Sequence, residues 1–587
     1  MNIIKILVAF LITLNISFSF EKPNQDIIKA MEDEISRSLD SLRIDGLERP
    51  YFIEYKFTEI DAQSIRGHLG SIEASNNNKS AFLSVNVRVG DYEFDNSNYF
   101  DVGLGFFGTS DDEEGFKRRK VSYNPDYDYI RREFWLATDA AYKQSAELYS
   151  KKLAVLKNRL RNDTTPDFSR PSNIEKHNIL KEIPNFDIDY FTRIIESTSS
   201  ILKDYHDIFT SGVSIEFIPK REYYVNSEGI QYIKESFYTG FEIVAATQNE
   251  LGMPIFDHYT TYSENPNNLP SYDSLMKVSK QIAENITLKL EKEQLDDFYV
   301  GPVIFNRQAA AELFIQSFLP KLVAQREPLT DGGFSSDNED AVFQRKIGGR
   351  VLPKYLSLID NPSLEKYDDT ELIGKYNIDD DGSLTEKVTL VKNGYLETLL
   401  TDRTPTKKIP ATNGHKRGGS VMYSNIIIEN DSSELELDEV EIEQKLIESV
   451  KRRDLEYGIV IEKLLNQNIR YTSLYRITNG NIEIPFGKKN YVMEGYKLYK
   501  DGTKEAFSGM VVPSFNVLLF KDILYTSKNK FAYNFLANAV QSPYLTGGDR
   551  YIPSSIIVPN LMFEDGELHI IEEDFKKPPY INSSLYN

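Results

Sequence analysis

Apolar residues recur at helical spacing in several stretches of this chain and alternate with polar ones in others, and the two periods lay out its elements. Ile28, Met31, Ile35, Leu39 and Leu42 trace one face of a helix over 26–42. The run 50–57 ends in apolar/polar alternation, as a strand with one buried face does. Residues 63–74 continue in that style, and 81–89 form a third strand closed by Gly90-Asp91. An antiparallel sheet beside a helix follows from these patterns. A long helix is predicted over 134–160, where Trp135, Tyr142, Tyr149 and Leu156 lie one heptad apart and Ala146, Leu153 and Leu160 take the offset positions. Two readings of that seam stand: a helix packed on its own sheet, or a seam between two chains. Segment 162–184 carries Thr165-Pro166 and Arg170-Pro171 and reads as a linker or long loop. A helix over 187–205, strands over 212–219 and 229–247, and a helix over 275–292 complete a region that closes near residue 300.

A short apolar strand over 299–305 then leads into a helix that starts near Asn306 and continues towards Ala324. Ala310, Leu313, Phe314 and Phe318 form its apolar face, Glu312 stands in its second turn, and Pro320 marks a kink or an end. Further on, Asn393-Gly394 sits between apolar runs over 388–396, a hairpin signal. The stretch 437–465 reads as helix, acidic and then basic, and 510–520 as strand. The fold class is therefore α+β. An N-terminal α/β domain with antiparallel sheet and long helices spans 20–300, with a helical insertion near 134–205. A β-rich C-terminal domain spans 301–587.

Composition sharpens this picture. A chain of 587 residues, 40% hydrophobic and 27% charged, supports two or more domains with sizeable cores. The 36 tyrosines and 34 phenylalanines against one tryptophan agree with a strand-rich architecture. A formal charge of -21 argues against nucleic acid as a partner, because phosphate binding needs a basic face. At the N-terminus, Lys5 precedes an apolar run over 6–16, broken only by Thr13 and Asn15, and Ser17 and Ser19 follow. That is a signal peptide over 1–19, with export to the periplasm or medium as its consequence. A membrane anchor fits less well, since the run is short for a bilayer span and polar residues follow at once. Zero cysteines exclude disulfides, thiol catalysis, thiolate metal sites and lipid attachment through cysteine.

Candidate chemistry is sparse. The histidines are His68, His177, His206, His258, His415 and His569, and no two lie within a helical turn. A zinc site needs three or four convergent ligands, so only distant histidines meeting in space could supply one. Residues 377–388 resemble a calcium loop through Asp379, Asp381 and Gly382, but Val388 stands where a bidentate glutamate belongs, so an acidic turn is the better reading. The loop 413–420 joins glycines to His415, Lys416 and Arg417. Glycine-rich basic loops can hold a carboxylate or phosphate through backbone N–H groups, and no Walker or dinucleotide pattern surrounds this one to make a nucleotide site. It reads either as a solvated surface loop or as a mobile loop beside a cleft that touches peptide. No Gly-x-Ser-x-Gly elbow occurs.

Several of these segments together resemble the TldD/PmbA family of peptidase-related proteins. Residues 87–98 resemble a strand-and-turn signature of its N-terminal domain. Residues 358–362, Asp379-Asp380-Asp381-Gly382, 391–396 and the 413–419 loop resemble its C-terminal domain, in the expected order, and 557–563 is similar to its closing strand. The resemblance implies an α/β domain followed by a β-rich one, dimer formation, and two kinds of subunit. One kind is a zinc metallopeptidase that carries His-Glu-x-x-x-His on the central helix and a further cysteine ligand. The other lacks that set and works beside a catalytic partner. Here the matching window reads Ala311-Glu312-Leu313-Phe314-Ile315-Gln316, so only Glu312 agrees.

The expectation is an exported, metallopeptidase-related protein that acts in proteolysis or peptide maturation as a metal-free subunit. Its partners would be a peptide or protein substrate and a catalytic TldD-like homologue, in a homo- or heterodimer. No cofactor is expected: zinc belongs to the catalytic members, whose ligands are absent here. Glu312 is the candidate catalytic residue, and Gln316, His415 and Arg417 are candidates for a substrate cleft. Two alternatives stand beside this reading. One is an unconventional peptidase that uses Glu312 with distant histidines such as His415, and the other is a non-enzymatic binding or scaffold protein.

Overall fold

The computed structural model describes residues 22–570, apart from 101–115, 158–163, 250–251, 253, 291–297, 331–338, 467–468, 470–489, 508–509, 513–516, 541–545 and 547. The predicted signal segment lies outside the described residues. Among the described residues no helix is long and apolar enough to cross a membrane.

A nine-stranded sheet organises the N-terminal half. Its strands are β1 (Pro50–His68), β2 (Ser71–Val89), β3 (Arg119–Val121), β4 (Lys176–Ile179), β5 (Thr210–Phe217), β6 (Lys220–Asn226), β7 (Gln231–Ser236), β8 (Thr239–Gln248) and β9 (Pro254–Ser263). They run in the order β9-β8-β5-β1-β6-β7-β4, with β2 beside β1 and β3 beside β2. The three strands expected before residue 90 are two. β1 and β2 form one long hairpin whose pairing closes at His68 and Ser71. Leu69 and Gly70 both take positive φ there, the twist a two-residue hairpin turn requires. The expected linker at 162–184 also contains a strand, because β4 pairs in parallel with β7.

Period-two alternation decides what each face of this sheet meets. Tyr55, Phe57 and Ile65 of β1 point to one face, which the four α-helices among the described N-terminal residues cover. Helices α1 (Gln25–Ser41) and α2 (Tyr127–Lys157) pack there over β1 and β2. Helices α3 (Ile188–Ile201) and α4 (Tyr272–Leu290) pack beside them over β5, β8 and β9. The opposite face carries Glu54, Lys56 and Thr58 of β1 and Val244 and Ala246 of β8, and it turns towards the C-terminal half.

Twelve strands form the second sheet. They are β10 (Tyr299–Phe305), β11 (Leu356–Asp360), β12 (Val388–Lys392), β13 (Tyr395–Leu396), β14 (Asn425–Asn430), β15 (Glu436–Leu437), β16 (Tyr457–Leu464), β17 (Tyr491–Tyr499), β18 (Lys504–Phe507), β19 (Met510–Val511), β20 (Ile523–Asn538) and β21 (Tyr551–Ile570). The path β10-β16-β17-β19-β21 closes on itself, because β10 also pairs with β21. β10 is buried on both sides, with Val303 and Phe305 in the main core and Ile304 against Ile442 and Leu446 of helix α6 (Glu439–Arg452). That explains its unbroken apolar run. The Asn393-Gly394 hairpin forms as expected, with both residues at positive φ between β12 and β13.

Helix α5 (Arg307–Ser317) is shorter than expected. It stops before Pro320, which sits in a 3-10 turn over Leu319–Leu322. Nor is it amphipathic: every residue from Ala309 to Ser317 is buried, between β16, β20 and β21. The helix expected over 437–465 ends at Arg452, and its second half is the strand β16. Positive φ at Asp454 breaks the chain between them. Of the strand expected over 510–520, Met510–Val511 form β19, 513–516 lie outside the described residues, and a 3-10 turn takes Leu519–Asp522.

The heptad on α2 resolves as packing on the chain's own fold. Tyr142 and Ala146 are buried, and Tyr142 Oη donates to the backbone carbonyl of Glu48 at 2.9 Å. Trp135 and Leu153 are 44% and 39% exposed. Tyr142→Ala is therefore expected to lower stability in urea unfolding by about 3–5 kcal/mol, and Trp135→Ala by no more than about 0.5 kcal/mol. Equal losses would show that the outer face of α2 is buried in an assembly.

Candidate functional site

Two places come from this architecture: the buried helix α5, and a cavity between the halves. On α5, positions 312 and 316 lie one turn apart and face the same way. The Gln316 amide donates to Glu312 Oε2 at 2.9 Å and to the Leu465 carbonyl at 2.8 Å, and its oxygen accepts the Asn490 N–H at 2.7 Å. Tyr533 Oη of β20 donates to Glu312 Oε1 at 3.0 Å. Asn466 extends the chain of bonds, donating to Tyr533 Oη at 3.4 Å and to Thr260 Oγ1 of β9 at 3.3 Å. Gln308, at the start of the helix, exchanges both its amide groups with the backbone of Leu464. The result is a closed polar knot that reaches from α5 to the N-terminal sheet.

Burial pushes the Glu312 carboxyl up to about 7, against the opposing effect of the bonds from Gln316 and Tyr533. Among the described residues only neutral donors are bonded to it. The residues do not fit zinc. Position 311 offers a methyl group, and the Gln316 amide is fully used. The chain has no cysteine. Among the described residues no three His, Cys, Asp or Glu side chains converge as a metal site would require.

His415 and Glu312 enter separate networks. His415 is buried, with Nδ1 2.8 Å from the Asn413 carbonyl and Nε2 3.5 Å from Asp360 Oδ1. Asp360 in turn accepts the backbone N–H of Ser424 at 2.8 Å. Arg417 donates to the carbonyls of Tyr423 and Pro553 at 2.7 and 2.6 Å and lies over the Tyr376 ring. The expected solvated or mobile loop at 413–420 is thus pinned inside the fold. Its neighbours Lys416 and Gly419 line the cavity; His415 and Arg417 do not.

This loop does hold carboxylates, but they are the chain's own. The backbone N–H of Lys416 binds Asp379 Oδ2 at 3.2 Å, that of Gly419 binds Asp380 Oδ2 at 3.1 Å, and Lys416 Nζ binds Asp381 at 2.6 Å. The loop resembling a calcium site is therefore an acidic turn spent on internal ligands. Its middle residue crosses to the N-terminal sheet, where Asp380 meets Lys56 and Lys234, each at 3.3 Å. Burial alone would raise the Asp380 carboxyl, but Lys56, Lys234 and Lys220 outweigh it and hold it well below the usual range. Burial would likewise raise Glu222, yet Lys220, Lys56 and Lys234 bring it down to about 2. Further pairs cross the same interface: Lys220 to Asp549 at 2.8 Å, Arg403 to Glu228 at 2.6 Å and Lys463 to Asp257 at 2.6 Å.

Above this lattice lies a cavity of about 1400 Å³, between the β1–β2 face and C-terminal loops. Glu54, Lys56, Asn86 and Arg88 form its wall on the sheet, and Arg326, Arg345, Lys407 and Asp549 stand across from them. Sequence reasoning missed these residues. The only signal was that Glu54, Lys56 and Thr58 alternate with the apolar positions of β1. That pattern predicts a polar face without saying what it meets.

Residues 299–508 match the model of the PmbA/TldA metallopeptidase C-terminal domain. No curated protein matches the sequence. Among solved structures, TldE from Thermococcus kodakarensis superposes with a TM-score of 0.55 at 12% identity, covering 92% of this chain and 100% of that one. A candidate modulator of DNA gyrase from Thermotoga maritima gives 0.54 at 12% identity, over 92% and 99% of the two chains. Another, from Bacteroides thetaiotaomicron, gives 0.54 at 14% identity, over 93% and 99%. Likeness at this identity shows the shared fold.

The knot on α5 has a measurable consequence. Burial holds the folded Glu312 carboxyl near 7, above its ordinary 4.5, so the unfolded chain releases this proton first as pH rises. Stability is therefore lost between those two values, by about 3 kcal/mol, and is not regained above them. Glu312→Gln removes the titration. In urea unfolding at pH 5 and pH 8, the variant is expected to gain roughly 3 kcal/mol on the wild type between the two conditions. Parallel pH profiles would contradict the assignment.

Proposed function

Starting from a chain that belongs to the TldD/PmbA family through its C-terminal domain, we propose that it serves as a metal-free, peptide-binding subunit in proteolysis or peptide maturation. The observation that carries this reading is the closed knot on α5. Where the zinc-binding pattern asks for histidines, Ala311 contributes no donor and Gln316 binds Glu312, the Leu465 carbonyl and the Asn490 N–H. Both oxygens of Glu312 are occupied by Gln316 and Tyr533. A general base needs an activated water beside it, and this carboxyl is 1% exposed and, among the described residues, meets no cation that could hold one. Its work is to fasten α5 to β20 and, through Asn466, to β9.

The cavity supplies the other half of the proposal. Its volume of about 1400 Å³ exceeds the range of small-molecule pockets and suits an oligopeptide. Ser84, Asn86 and Arg88 offer hydrogen-bonding groups along one strand of its wall. Cleavage would fall to a relative that carries His-Glu-x-x-x-His, in a dimer with this chain. The apolar segment 6–16 behind Lys5 supports export of this chain, so the relative would have to be exported as well.

The test uses the purified chain without its first 19 residues. After incubation with zinc and dialysis, elemental mass spectrometry is expected to find a tenth of an equivalent or less, on the order of background. Peptide hydrolysis is expected only after mixing with an exported relative from the same organism that retains both helix histidines. Near-stoichiometric zinc, with hydrolysis by this chain alone that Glu312→Gln abolishes, would overturn the proposal.

A further inference from the structure

We infer that the occupant of the interdomain cavity is an acidic peptide segment, an inference that rests on the peptide-binding reading above. The chain carries a formal charge of -21, yet nine Lys or Arg side chains line this cavity against five Asp or Glu. The sign of the charge is inverted where a ligand would sit, among the described residues.

The acids that line it are largely spent. Asp380 and Glu222 share Lys56, and Lys234, which does not line the cavity, reaches both of them. Asp549 is held by Lys220 at 2.8 Å and by Arg118 at 3.2 Å. Glu54 accepts the Tyr224 hydroxyl at 3.1 Å, and burial raises its carboxyl towards the neutral form. Glu327, on the rim, is exposed.

Several donors are not spent. Arg88 is 8% exposed and lies over the Phe168 ring; one nitrogen is fixed by Asp95 and Ser97, but its Nε is buried with no partner among the described residues. The Asn86 side chain, next but one on the same strand, has no hydrogen-bond partner among the described residues. On the opposite rim Arg345 and Lys407 are exposed and pair with no carboxylate among the described residues, and Lys408 reaches only the Ile347 carbonyl. A buried cation with an unmet N–H and rim cations without counter-ions together ask for carboxylates. A peptide fits better than nucleic acid. A peptide can carry a few spaced carboxylates that meet the separated cations, whereas a phosphate at every unit would also fall against the carboxylates of the floor.

The experiment measures fluorescence anisotropy with the full mature chain and four labelled probes. They are a twelve-residue peptide with four glutamates, the same peptide with glutamines, the same with lysines, and a single-stranded oligonucleotide of equal length. The glutamate peptide is expected to bind at least about tenfold tighter than the glutamine peptide, and to weaken as salt rises. Charge reversal at the exposed rim, Arg345→Glu with Lys407→Glu and Lys408→Glu, is expected to invert the order of the glutamate and lysine peptides, and an unchanged order would overturn the inference. Equal affinity for the three peptides would overturn the charge inference and leave peptide binding standing. Binding of no peptide would overturn the peptide-binding reading itself. Tighter capture of the oligonucleotide would overturn the inference in favour of nucleic acid.

Discussion

Charge buried between two domains must be matched, and this constraint governs the centre of the molecule. The polar face of the N-terminal sheet is closed off by the C-terminal half, so Lys56, Glu222 and Lys234 lose water when the halves meet. An unmatched ion there would cost several kcal/mol. Asp380 supplies the match from across the interface, with Asp549, Glu228 and Asp257 repeating the device at other points. The turn that carries Asp380 is itself held by backbone N–H groups of the 413–420 loop. The cavity wall, the acidic turn and the glycine-rich loop are thereby one connected structure.

Helix α5 obeys the same constraint with different means. Glu312 is buried with no cation bonded to it, so neutral donors surround it and its carboxyl keeps its proton to about pH 7. On this helix an amide and an acid are presented to each other. Gln316 is the residue that joins them to the rest of the fold. It donates to Glu312 and ties the helix to Leu465 and Asn490.

Much of this was legible from local pattern, and the failures have physical causes. Alternation in β1 placed Tyr55 and Phe57 inward, and Asn393-Gly394 announced its turn. The helix at 437–465 was overextended because Ile459, Val460 and Ile461 suit a buried parallel strand as well as a helix, and only pairing with β10 decides between them. The α5 face at Ala310, Leu313 and Phe314 was read as a stripe, whereas strands distant in sequence cover the helix all round. Lys56 and Asp380 could not be joined in advance, since they are charges on separate elements far apart along the chain. Ala311 and Gln316, by contrast, spoke through identity alone: neither can be a strong zinc ligand in any fold.

The most direct test of this account is a double-mutant cycle across the interface, with Lys234→Met, Asp380→Asn and the pair, each followed by urea unfolding at pH 7. If buried charge fastens the two halves, the pair will be less damaging than the sum of its parts, with a coupling of about 1–3 kcal/mol. Coupling within about 0.3 kcal/mol of zero would mean that Asp380 and Lys234 do not depend on each other, and the account would fail at its centre.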